Sequence, residues 1–263
     1  MNFGLNGKIA LVAAASQGLG KAAALSLARE GARVVVCSRR EQEIAAAARE
    51  IATDTGAEVL PMVADVTNAG DIRRMVAETV KRLGTVHVLV NNAGGPPAGG
   101  LMDLSDADWE KAHQLTLMST VRLTREVLPR MVAQHWGRII TIVSISAKQP
   151  IPELLLSSAI RPGILGLTRI LATQYAKDNI TVNAICPGNV LTKRQEELSR
   201  ARAADRHMSF EEYLTDSARA IPAGRLGRPE EIGDVAAFLA SEQASYINGE
   251  SLLVDGGLAK GIH

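Results

Sequence analysis

The sequence predicts a single α/β domain built on a doubly wound, mainly parallel sheet of about seven strands. Three observations carry this. Short β-rich runs alternate with helical stretches from end to end. The runs are apolar throughout rather than alternating, as strands buried on both faces of a parallel sheet are. Glycines gather where the first run gives way to the first helix.

The first run, "KIALVAA", leads into an Ala/Leu-rich helix from about Gly18 to Glu30. "ARVVVCS" precedes a second helix and "AEVLPMVAD" a third. "VHVLVNNAG", "GRIITIVSI", "ITVNAICPG" and "ESLLVDGG" supply the later strands. No internal repeat or Pro/Ser-rich linker divides the 263 residues, so residues 1–263 are expected to share one core. Residues 193–225, between the sixth and seventh strands, are irregular and charged, and contain the helix-like "SFEEYLTDSARA". An insertion of that length in a compact domain is expected to serve as a substrate lid.

Composition narrows the function classes. A net charge of +1 and a pI near 7.8 build no field for nucleic acid or an anionic membrane surface. The richest charge run, "KRQEELSRARAADR", mixes signs and reads as a solvated helix. Cys37 and Cys186 end Val/Ile-rich runs and suit reduced thiols in strand cores. The histidines are scattered and no metal-ligand spacing appears. No apolar run approaches the ~20 residues that span a bilayer, and no basic segment with a long apolar core opens the chain. A cytoplasmic location is expected.

Gly18 and Gly20 lie where a strand turns into a helix. Backbone N–H groups at a helix N-terminus, with no side chain in the way, bind a pyrophosphate. The same pair would also serve a tight turn with close helix–sheet packing.

From these residues the chain resembles the short-chain dehydrogenase/reductase family, over about Asn6 to Gly257. The family's Thr-Gly-x-x-x-Gly-x-Gly falls on Ala13, Ala14, Ala15, Ser16, Gln17, Gly18, Leu19 and Gly20, with small Ala14 in place of the first glycine. "NNAG" at residues 91–94 matches the motif after the fourth strand, so Asn92, Ala93 and Gly94 are cofactor candidates. Asp65 and Val66 match the pair that contacts adenine. "PGNVLT", with Pro187, Gly188, Val190 and Thr192, matches the loop beside the nicotinamide. "RLGRPEEIGDVAAFLAS" and "YINGESLLVDGG" match the C-terminal segment.

The resemblance implies a Rossmann-type fold and a nicotinamide cofactor. It also implies a homotetramer, packed through the helices around Trp109–Met131 and Ile164–Lys177. The end of the second strand selects the cofactor, because an acid there would bind the ribose diol whereas a 2′-phosphate needs cations. The chain has Ser38, Arg39 and Arg40 and no acid, so NADP(H) is expected. Two solvated arginines at a helix start would read the same way.

The family's proton donor is the tyrosine of a Tyr-x-x-x-Lys pair on the helix after the fifth strand. Anchoring on "GILGLTRILA" places Ser157 and Arg161 at those two positions. The fifth strand places the family's catalytic serine at Ser144, at the expected spacing, and the preceding helix places its asparagine position at Thr116. Of the four, only the serine remains, and the chain is an atypical member on this reading.

A phenol starts near pKa ~10 and a nearby cation lowers it. An alkyl hydroxyl is a far weaker acid, and arginine stays protonated, so it cannot relay a proton as lysine does. Arg161 can still donate to ribose hydroxyls and supply positive potential. Ser157 would equally suit a helix cap, and Ser144 a plain strand end.

Three readings follow. The first is a reductase of a small, mainly apolar ketone that takes its proton from water or another side chain. His207, Tyr213, Lys148 and Glu153 are candidates by position only. The second is a reductase of a conjugated C=C or a C=N bond, which needs no phenol beside an alkoxide. The third is a non-catalytic nucleotide-binding protein. Pro162 lacks an N–H and disfavours helical geometry before it, so a kink at Arg161 or a helix starting at Pro162 is expected.

Overall fold

In the computed structural model, which describes residues 2–261, the runs form one seven-stranded sheet in the order β3-β2-β1-β4-β5-β6-β7. The strands are β1 (Ile9–Val12), β2 (Arg33–Ser38), β3 (Val59–Val63), β4 (Val88–Asn91), β5 (Gly137–Ile142), β6 (Ile180–Pro187) and β7 (Ser251–Val254). Every neighbouring pair is parallel. The order reverses between β1 and β4, where the loops leaving the two strands diverge and open a crevice at their carboxyl ends.

Among the described residues ten α-helices cover the sheet and its loops: α1 (Gly18–Arg29), α2 (Glu41–Thr55), α3 (Ala69–Leu83), α4 (Asp106–His113), α5 (Ser119–Ala133), α6 (Leu155–Ile160), α7 (Pro162–Tyr175), α8 (Lys193–Asp205), α9 (Phe210–Arg219) and α10 (Pro229–Ala240). Strand alternation divides the core between two faces. Val34 and Val36 of β2 join α1, α2 and α10 on one side, while Val35 and Cys37 join α3 and α5 on the other. Both cysteines are buried and unpaired, as expected.

Burial on both faces holds for the central strands and fails at the edges. Val63 of β3 is 46% exposed and Leu252 of β7 is 43% exposed, because an edge strand has a neighbour on one side only.

The irregular region folds into α8 and α9. Ser209 opens α9 with a capping box, its hydroxyl accepting from the Glu212 N–H while the Glu212 carboxylate accepts from the Ser209 N–H.

α6 ends at Ile160 and α7 begins with Pro162 at its first turn, where a missing N–H leaves no helical bond unmade. Arg161 between them nonetheless keeps helical φ −64°, ψ −29°, so the interruption does not redirect the chain. The near-continuous segment Leu155–Asp178 is therefore long and apolar enough to cross a membrane by length and composition. That corrects the sequence expectation, which counted unbroken apolar residues only. Within the fold this segment packs on β6 and carries Arg161.

Candidate active site

Three loops converge at the crevice. The turn after β1 carries Ala14, half-buried Ser16, exposed Gln17 and Gly18. Gly18, at φ +59°, opens α1. Asn68, Ser105, Thr192 and Ser209 cap α3, α4, α8 and α9 with side-chain oxygens, but Gln17 gives α1 no such cap. The first N–H groups of α1 are thus left for an anionic group.

A Cβ on Gly20 would lie 2.5 Å from the Ala14 carbonyl oxygen and 2.6 Å from Asn92 Nδ2, so only glycine fits there. Asn92 donates to the carbonyls of Ala13 and Ala14 at 3.3 and 3.2 Å, tying the β4 loop with Ala93 and Gly94 to the glycine turn. Leu19 packs against the core beneath.

The third loop follows β6. Gly188 lies so near Asp255 that a Cβ would stand 2.7 Å from the Asp255 Cβ. Val190 is buried after Pro187, and Thr192 caps α8 by accepting from the Gln195 N–H at 3.2 Å. A Cβ on Gly18 would meet Thr192 Cγ2 at 3.5 Å, so the glycine turn and the β6 loop face each other directly. The free helix end, the Gly20 contact and the facing Thr192 fit a dinucleotide.

At the end of β2, the Ser38 hydroxyl donates to the Arg40 carbonyl at 3.3 Å. Arg40 is ion-paired with Glu43 at 2.8 Å. Arg39 is exposed and, among the described residues, makes no ion pair. Asp65 is engaged by the Thr67 N–H and hydroxyl, both at 2.8 Å, and Val66 is buried beside it.

Beyond β5, Ser144 Oγ accepts from the Ser146 N–H at 3.1 Å and from the Ser146 hydroxyl at 3.0 Å, leaving its own hydrogen free to donate. Arg161 Nη1 donates to the Val143 carbonyl, the residue before Ser144, and Arg161 Nε lies 3.4 Å from Ser157 Oγ. Ser144, Ser157 and Arg161 therefore meet at one corner. Burial pulls the Arg161 guanidinium down to about 10, aided by Arg194 and opposed by Cys186, which leaves it charged at neutral pH.

Thr116 lies in a π-helical turn, Gln114–Met118, between α4 and α5. Its Oγ1 is buried without a hydrogen-bond partner, and so is Asn91 Oδ1. Both residues line a small cavity with Arg161. Of the proton-donor candidates, His207 and Glu153 are exposed, Lys148 is half-buried and Tyr213 is buried near Arg206. Among the described residues, none of them hydrogen-bonds Ser144 or Ser157.

Sequence reasoning missed three contributors. Ser146 anchors Ser144, and the "SIS" spacing offered the only signal. Asn91 was passed over for Asn92, although its side chain braces β4 through Thr124 and Thr141 at 3.3 Å each. Arg194 donates to the Gly95 carbonyl at 3.0 Å, a contact between distant segments that no local pattern announces.

A family model described as enoyl-(acyl carrier protein) reductase matches residues 13–259. Oxidoreductase UcpA of Escherichia coli K12 is 35% identical over 254 residues, covering 96% of this chain and 95% of that protein. The crystal structure of L-sorbose reductase from Gluconobacter frateurii, complexed with NADPH and L-sorbose, superposes with a TM-score of 0.96 at 33% identity and covers both chains fully. Actinorhodin polyketide ketoreductase with NADPH gives a TM-score of 0.92 at 34% identity, over 97% of this chain and 98% of that one. The chain belongs to the short-chain dehydrogenase/reductase family and is an oxidoreductase.

Proposed function

We infer that the protein is an NADP-dependent reductase of a small, mainly apolar ketone, working without the family's Tyr-x-x-x-Lys pair. The observation that carries the cofactor choice is Arg39, a cation at the end of β2 that makes no ion pair among the described residues, where no acid competes. The NADPH complexes of L-sorbose reductase and actinorhodin ketoreductase support the same choice.

NADPH, when bound, supplies the hydride. The backbone N–H groups of Gly18 and Leu19 would hold the diphosphate, beside the β4 loop that Asn92 ties down and the β6 loop of Val190 and Thr192. Arg39 would take the 2′-phosphate, and Asp65 and Val66 would hold the adenine. Ser144 donates its free hydrogen to the substrate oxygen, where negative charge grows as hydride arrives. Arg161 stabilises the same charge and donates to the ribose hydroxyls, while Thr116 shapes the wall behind it. The proton comes from water, since neither Ser157 nor Arg161 yields one near neutral pH.

Reduction of a conjugated C=C or a C=N bond is the second reading. It is favoured by the Ser157–Arg161 pair itself, because a delocalised anion or a reduced iminium needs no strong acid beside it.

α8 and α9 form the lid, with Arg194 reaching Gly95 across the opening. A homotetramer packed through α5 and α7 accounts for Ile170, which is 57% exposed on α7.

Fluorescence titration with NADPH and NADH, followed by NADPH oxidation against ketones, enones and imines, tests this reading. Tight NADPH binding with ketone turnover supports it. Turnover confined to enones or imines would establish the second reading instead, and a failure to bind NADPH would overturn both.

A further inference from the structure

Two arginines are almost wholly buried in this fold, and they are treated differently. Arg138, 0% exposed, donates to the Gly137 and Asn179 carbonyls, faces Glu242 at 3.5 Å and stacks 4.4 Å over the Trp136 ring. Its charge has both an anion and an aromatic face. Arg161, 8% exposed, has the Val143 carbonyl and the Ser157 hydroxyl, both neutral. Among the described residues no carboxylate pairs with it.

A buried cation without a counter-charge is costly, because water is removed and nothing replaces its field. The surroundings add to the cost. Arg194 stands at Gly94 and Gly95, on the loop continuing from the cavity wall, and among the described residues makes no ion pair. Lys148, which makes no ion pair among the described residues, lies in the loop after Ser144. Arg161 lines the cavity with Asn92 and Ala93, and Arg194 reaches Gly94 and Gly95 on the same loop.

Among the described residues the Arg161 Nη2 group makes no hydrogen bond, so it keeps its donors for a ligand. Asn91 and Thr116, with their unpartnered Oδ1 and Oγ1 atoms, line a small cavity together with Arg161, of a size suited to water rather than to an anion.

The geometry points to a substrate that carries a carboxylate, bound by Arg161 Nη2 beside the Ser144 hydroxyl, with Arg194 adding attraction from the loop after β4. The class is an oxo acid with an otherwise apolar body. This deepens the reductase reading and rests on it. The cofactor's diphosphate is a competing source of negative charge, so the test keeps the two apart.

The NADPH-saturated protein is titrated with butyrate and with butyramide, which match in shape and differ in charge. Butyrate should bind about tenfold tighter or more, the scale of one charge-assisted hydrogen bond. Arg161→Gln, saturated with NADPH, should lose that preference, and Arg161→Lys should keep most of it. Equal binding of the two probes, or a preference that survives Arg161→Gln, would overturn the assignment. So would a variant that loses NADPH affinity alone, since the counter-charge would then be the cofactor's. NADPH affinity is read separately before either probe is added, so a failure of the reductase reading shows at that step.

Discussion

Arg161 Nε lies 3.4 Å from Ser157 Oγ, one helical turn along the chain, and both side chains are buried. The arginine holds the serine in place without making it an acid, since an alkyl hydroxyl starts far above a phenol. Ser157→Ala should lower kcat by less than about tenfold, or ~1.4 kcal/mol of barrier stabilisation. Arg161→Ala should do more harm, weakening both NADPH and carboxylate binding, because donors and charge leave together. Steady-state kinetics and cofactor titration on the purified variants read both.

Ser144 has a fixed oxygen and a free hydrogen, the arrangement of a group aimed at developing charge. Ser144→Ala should lower kcat by about 10²–10³-fold, as removal of one oxyanion donor does elsewhere. NADPH affinity should stay unchanged, which separates this variant from Arg161→Ala.

Arg40 is occupied by Glu43, and Arg39 is not. Arg39→Asp should therefore reverse the preference from NADPH to NADH, a change on the scale of ~1.5–3 kcal/mol for one charge-assisted contact. Arg40→Ala should change it little. Dissociation constants for both cofactors decide the matter.

Ala14 adopts φ +48°, a conformation that L-residues with a Cβ avoid and glycine accepts. Ala14→Gly should raise stability by about 1 kcal/mol and Tm by about 2–4 °C for a chain of this size. Thermal unfolding with and without NADPH checks it.

His87 accepts the Ile9 N–H on Nδ1 at 3.0 Å, and burial, helped by the charge of Lys8, pulls its pKa from 6.5 to about 4. The unfolded chain binds this proton more readily, so stability is full above about pH 6.5 and falls as pH drops toward 4. His87→Gln should flatten that part of the stability profile, measured by denaturant unfolding between the two limits.

The fold was legible because the strands announce themselves: "ARVVVCS" holds four apolar residues in a row, Val34 to Cys37, all buried in a strand paired on both sides. The edges were less so, since "ESLLVDGG" is as apolar as a central strand while Leu252 stands half in water. Site residues were found where a motif fixes them in sequence, as with Gly20 and Asn92. Arg194 could not be found that way, because its partner Gly95 is close only after α8 folds back over the crevice. The strain at Ala14 was hidden as well: its small size was visible in the sequence and its positive φ was not.

The most direct measurement is NADPH oxidation against matched ketones, enones and imines, by the parent protein and Ser157→Ala side by side. The account predicts turnover of a ketone by the parent protein, with Ser157→Ala keeping more than about a tenth of the rate. A Ser157→Ala protein that folds and binds NADPH normally yet turns nothing over would make the serine chemically essential and contradict the account.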